Sequence, residues 1–182
     1  MRVSKYCEVT SKSLIDFEEI KFILANNNVN LVKAHQLNGK VYLKDTVSVL
    51  NSNYKTIIDN SLTMYVINGK KYLCYITEDG YYKNNTSIEI VDENECIEFL
   101  NHIGFNEQFS LDADYYVYSD GVNMLNIINL INIGLYISVR KENATFEEVK
   151  EILESFNIPH IEEVLDESIE KLVVNKLRRQ MK

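Results

Sequence analysis

Apolar and polar residues alternate over 62–67 and 72–77 around Asn68-Gly69, and again over 113–118 and 122–127 around Asp120-Gly121. Asn-Gly and Asp-Gly accept the positive φ of a tight type I′ turn, so both pairs predict antiparallel hairpins. Elsewhere a strand pattern is followed by a helix pattern three times. Tyr6 to Lys12 leads into Phe17, Ile20 and Leu24 at helical spacing, with Asp16 and Glu19 placed as a capping box and Ile15 and Ile20 as a hydrophobic staple. Ser87 to Val91 leads through Asp92 and Glu95 into Cys96, Phe99, Leu100 and Ile103, with Gly104 as the stop. Leu135 to Arg140 leads through Thr145 and Glu148 into Val149, Ile152, Leu153 and Phe156, ending before Pro159. A last helix is predicted from about Glu162, with Leu165, Ile169, Leu172 and Val173 on one side. The expected fold is α+β: a largely antiparallel, closed or nearly closed β-barrel with about three to four helices packed outside it.

Successive strand residues point to opposite faces, so the alternation also divides each strand. Glu8, Thr10 and Lys12 share one face while Cys7 and Val9 take the other; Thr63 and Tyr65 oppose Leu62, Met64 and Val66. Asp112 and Asp114 oppose Ala113, Tyr115 and Val117, and Ser138 and Arg140 oppose Leu135, Ile137 and Val139. If helices cover the apolar faces, the polar ones line a water-accessible tunnel holding Glu8, Thr10, Lys12, Thr63, Tyr65, Asp112, Asp114, Ser138 and Arg140. Alternation alone equally fits an open sheet with one solvated face and nothing bound.

Composition narrows the chemistry. A length of 182 residues fits one domain spanning 1–182. A net charge of −8 disfavours nucleic acid or an anionic membrane as partner, and the dense cations Lys176, Arg178 and Arg179 close a predicted helix, where they complement its dipole. The apolar stretch from Val122 to Ile133 is interrupted by Asn123, Asn126, Asn129 and Asn132, which excludes a membrane span. With no signal-peptide pattern after Arg2, a cytoplasmic location is expected. Cys7, Cys74 and Cys96, and His35, His102 and His160, are too scattered for a zinc clip or redox motif.

The acid-first, base-last strand Glu8-Val9-Thr10-Ser11-Lys12 resembles the Glu-x-Glu-x-Lys strand of the CYTH superfamily, which contains class IV adenylyl cyclases, thiamine triphosphatase and other triphosphate tunnel enzymes. Further resemblances follow in order along the chain. Leu62-Thr63-Met64-Tyr65 is similar to the family's Leu-Arg-x-Arg strand, Leu73-Cys74-Tyr75-Ile76 to its Leu-Thr-x-Lys strand, and Ile103-Gly104-Phe105 to its Leu-Gly-Phe. Ile133-Gly134-Leu135-Tyr136-Ile137-Ser138-Val139-Arg140 is similar to Leu-Gly-x-Phe-x-Glu-x-Glu, and Ser168-Ile169-Glu170-Lys171-Leu172 to the closing Ser-Tyr-x-x-Leu. The resemblance implies a barrel with helices outside and a charged lumen within.

It also shows what has changed. A triphosphate carries about four negative charges and needs several Lys or Arg, together with divalent ions held by carboxylates. Thr10 replaces the middle acid, Thr63 and Tyr65 replace the paired arginines, and Ile76 stands at the lysine. Asp112 and Asp114 occupy a usually basic strand, Ser138 and Arg140 replace the closing acids, and the expected aspartate counts to Ile128. Only Glu8 and Glu89, which has Ser87 as its neighbour, remain as metal ligands if any exist, so no cofactor is expected. The expectation is a CYTH-like tunnel protein that has lost triphosphate chemistry and binds a small ligand or a protein partner. The alternative is a metal-dependent triphosphatase or class IV-type adenylyl cyclase with an altered site using Mg²⁺ or Mn²⁺. The chosen residues also make the lumen net negative, with Glu8, Glu89, Asp112 and Asp114 against Lys12 and Arg140.

Overall fold

A computed structural model describes residues 1–67, 69–161 and 169–180 of the chain. Eight strands, β1 (Arg2–Lys12), β2 (Asn30–Lys44), β3 (Ser61–Ile67), β4 (Lys70–Asp79), β5 (Tyr82–Ile90), β6 (Phe105–Ser119), β7 (Met124–Leu130) and β8 (Gly134–Lys141), close into one barrel in the order β1-β5-β4-β3-β2-β6-β7-β8. Every pairing is antiparallel, and closure leaves few strand edges unpaired. Five helices accompany them among the described residues: α1 (Phe17–Asn26), α2 (Tyr54–Asp59), α3 (Glu93–His102), α4 (Phe146–Ser155) and α5 (Ile169–Gln180).

The local signals act as their chemistry requires. Asp16 accepts from the Glu19 N–H and Thr145 from the Glu148 N–H, with both glutamates bonding back, so α1 and α4 begin in full capping boxes. Ile67 pairs with Lys70 across a two-residue connection whose Gly69 has φ +76°. The second expected hairpin turn is longer. Ser119 pairs with Met124, and Asp120 Oδ1 accepts from the N–H groups of Val122 and Asn123, withdrawing them from the ladder. The strand expected at 122–127 therefore begins at Met124 and runs to Leu130.

Some elements were not anticipated, the short helix α2 among them. β2 and β6 are 15-residue strands paired along nearly their whole length, and β2 carries no regular alternation in its first half. Asp79-Gly80 makes a third hairpin: Asp79 pairs with Tyr82 and Gly80 has φ +58°, so β5 starts well before the predicted Ser87.

Helices α1 and α4 bury Ile20, Leu24, Val149 and Leu153 against the outward-facing Val9, Leu125, Ile127, Ile137 and Val139. α3 buries Leu100 against Tyr42 and Met64. α5 lies elsewhere. Its Val173 and Val174 pack with the inward-facing Val41, Leu43, Cys74, Leu111, Ile128 and Tyr136, so it stops one end of the barrel. Arg178 fastens it by donating from Nε to the Val49 carbonyl at 2.7 Å. The predicted start of this helix at Glu162, with Leu165 and Ser168, lies outside the described residues. Among the described residues no helix is long and apolar enough to cross a membrane.

Candidate functional site

The end of the barrel opposite α5 is open and leads into a cavity of about 920 Å³. Arg2, Lys33 and Met124 stand near the mouth; Glu8, Tyr65, Lys83, Tyr115, Arg140 and Glu170 lie deeper. The period of two fixes these positions, because Tyr6 and Glu8 on β1, Lys83, Asn85, Ser87 and Glu89 on β5, and Arg140 on β8 all occupy inward registers.

Glu8 is the hub. Its Oε1 accepts from Ser138 Oγ at 2.9 Å and from Arg140 Nη2 at 2.8 Å, and its Oε2 accepts from Lys83 Nζ at 2.6 Å. Lys83 also lies 3.9 Å from Glu78 Oε1, whose other oxygen accepts from Tyr54 at 3.0 Å. Arg140 further donates to Tyr115 at 3.2 Å and stacks over the Tyr6 ring at 5.1 Å. Burial alone would push the Glu8 carboxyl up, but attraction to Arg140 and Lys83 and the hydrogen bonds of Lys83 and Ser138 outweigh it and hold the group well below the usual carboxylate range. Burial likewise pulls Lys83 down, yet Glu8 and Glu78 raise it above the ordinary lysine value.

At the stopped end, Tyr65 donates to Glu170 Oε1 of α5 at 2.5 Å. Burial, reinforced by that carboxylate, raises the Tyr65 hydroxyl well above the usual tyrosine value. Its ring lies on Gly39, where a Cβ would come within 2.9 Å of Cε1, so glycine is what lets the ring lie flat on β2.

Of the residues singled out from sequence, Glu8, Tyr65, Glu89 and Arg140 line the cavity. Thr10, Thr63 and Ser138 are buried on the same inward registers. Lys12 is exposed at the stopped end, four residues from Glu8, and forms no ion pair with it. Asp112 and Asp114 must be corrected: they face outward, bonded to Asn38 at 2.9 Å and Asn129 at 3.2 Å, while Leu111, Ala113 and Tyr115 face in. The faces of β6 are the reverse of those expected because α5 makes this part of the lumen apolar, so the hydrophobic residues of β6 turn inward and the acids stay in water. The charge of the lumen changes accordingly. Arg2, Lys33, Lys83 and Arg140 face Glu8, Glu78, Glu89 and Glu170, four of each sign rather than a net negative set. Sequence reasoning missed Lys83 and Glu78, although Asp79-Gly80 between them carried the same hairpin signal used elsewhere.

The residues present do not fit a divalent metal site. Both Glu8 oxygens are held by cations, Glu89 is paired with Lys70 at 3.1 Å, and no cluster of three His, Cys, Asp or Glu among the described residues could hold an ion.

No family model and no curated protein sequence matches the chain. Solved structures do. A Pyrococcus horikoshii protein, PH1819, superposes with TM-score 0.71 at 14% identity, over 94% of this chain and 99% of its own. A candidate adenylate cyclase of Vibrio parahaemolyticus gives TM-score 0.70 at 10% identity over 93% and 98%. A candidate adenylyl cyclase of Hippeastrum, with a dominant triphosphatase activity, gives TM-score 0.59 at 15% identity over 98% and 96%. What this chain shares with them along nearly its whole length is the fold, the closed eight-stranded barrel of CYTH-type proteins.

Proposed function

We propose that this chain is a ligand-binding barrel that has given up the phosphoryl chemistry of its fold and takes a small molecule into its one-ended cavity. The observation that carries the reading is the state of Glu8. A carboxylate with three of its four lone-pair sites taken by Lys83, Arg140 and Ser138 is already compensated, and drawing it onto a metal ion would leave Lys83 buried with its charge poorly compensated. The same contacts spend Lys83 and part of Arg140 on an internal acid, leaving Arg2 and Lys33 as the lumen cations without a carboxylate partner among the described residues. Two free positive charges do not neutralise a triphosphate of about four. Metal-free protein is therefore expected to bind ATP or triphosphate no tighter than roughly millimolar.

The test is turnover of ATP, thiamine triphosphate and inorganic triphosphate with Mg²⁺ or Mn²⁺. None is expected; turnover that Glu8→Ala abolishes would refute the reading. The competing reading, a metal-dependent triphosphatase or cyclase with an altered site, draws on the fold shared with the Hippeastrum protein and gains from that same result.

A further inference from the structure

Three sets of groups along the cavity together describe an occupant. The first is the pair of cations near the mouth, Arg2 and Lys33, with the half-exposed Arg140 beyond them keeping guanidinium surface toward the cavity. The second is a pair of buried polar atoms, His35 Nδ1 and Asn85 Oδ1, that find no hydrogen-bond partner among the described residues. Such atoms cost free energy unless water or a ligand satisfies them, and both belong to residues lining this one cavity. The third is the wall around them: Tyr6, Tyr72 and Tyr115 with Leu37, Ile76 and Val117. The His35 ring already packs at 5.1 Å against Tyr115. Flat and apolar surfaces of this kind accept a planar body.

Resting on the binding reading above, we propose that the cavity takes a small planar organic acid. Its single carboxylate meets Arg2 and Lys33, its ring lies among the tyrosines beside His35, and a ring N–H or O–H donates to Asn85 Oδ1. The charge count selects this class over polyphosphates: one carboxylate is matched by the free cations with no metal required, whereas each further negative charge approaches Glu8, Glu78 and Glu89 without compensation. Burial and the neighbouring Lys33 keep His35 below its ordinary value, hence neutral at pH 7 and able to serve as a hydrogen-bond partner without adding charge.

Titration calorimetry of the full chain at low salt with indole-3-acetate, 4-hydroxyphenylacetate and orotate tests the class, with indole-3-acetamide as the uncharged control. At least one acid should bind with Kd below about 100 µM, and loss of the carboxylate should weaken binding by roughly tenfold or more. Lys33→Glu, at an exposed position, should weaken it by a similar factor with Tm unchanged, and Asn85→Ala should weaken an N–H-bearing acid more than one without that donor. No acid binding with Kd below about 100 µM, or binding indifferent to both the acetamide control and Lys33→Glu, would overturn the proposal. That failure is separable from failure of the binding reading, which falls only on Glu8-dependent turnover.

Discussion

Replacing Glu8 with Gln removes one charge from the centre of the barrel and leaves its shape in place. Lys83, with a side chain only 9% exposed, then keeps only the longer 3.9 Å pairing with Glu78, while Arg140, 42% exposed, can turn toward water. The loss is therefore set mainly by Lys83. Removing one member of a buried ion pair costs about 3–5 kcal/mol, and because Glu78 remains and the amide oxygen still accepts a hydrogen bond, the lower end, about 3 kcal/mol, is expected. For a chain of this length that corresponds to a fall in Tm of roughly 6–12 °C. The pH dependence carries a sign. The folded pKa of Glu8 lies below its unfolded value of about 4.3, so the stabilisation is fully present above that value and is lost as pH falls toward the folded pKa. The gap between wild type and Glu8→Gln should stay constant from neutral pH to about 5 and narrow below about 4. Urea unfolding of both proteins across this range is the assay. A gap under about 1 kcal/mol at neutral pH, or one that widens in acid, would mean that Glu8 does not hold Lys83 in this way.

Gly39→Ala places a Cβ 2.9 Å from the Tyr65 ring, which is buried and tied to Glu170, so a loss of about 1–3 kcal/mol in urea unfolding is expected rather than the small gain of an ordinary strand Gly→Ala. Tyr65→Phe strips the hydroxyl donor from the buried Glu170 carboxylate and should cost about 1–3 kcal/mol, with amide exchange protection of α5 falling along with it. Thr145→Ala removes the cap that accepts from the Glu148 N–H and should cost about 1 kcal/mol by thermal melting, leaving ligand binding unchanged because α4 packs on the outside of the barrel.

Elements whose signals are local were legible in the amino-acid order. Capping at Asp16 and Thr145 depends on residues three apart, the turn at Gly69 on one positive φ, and the faces of the strands on a period of two, so pattern placed Glu8, Tyr65 and Arg140 on the polar faces of their strands, and the family resemblance turned those faces into a lumen. Three things depended on contacts between residues far apart in the chain, and pattern could not reach them. β2 is a strand because β6 offers it a ladder along its length, a pairing between residues some 60 to 90 positions apart that its own irregular alternation does not announce. The face of β6 reversed because α5 occupies that end of the lumen, and hydrophobic residues turn toward whatever excludes water, helix or not. The state of Glu8 was decided last, by Lys83 arriving from β5 and Arg140 from β8. A charge is matched by the nearest opposite charge in space, and residues 8, 83 and 140 become neighbours only when the barrel closes.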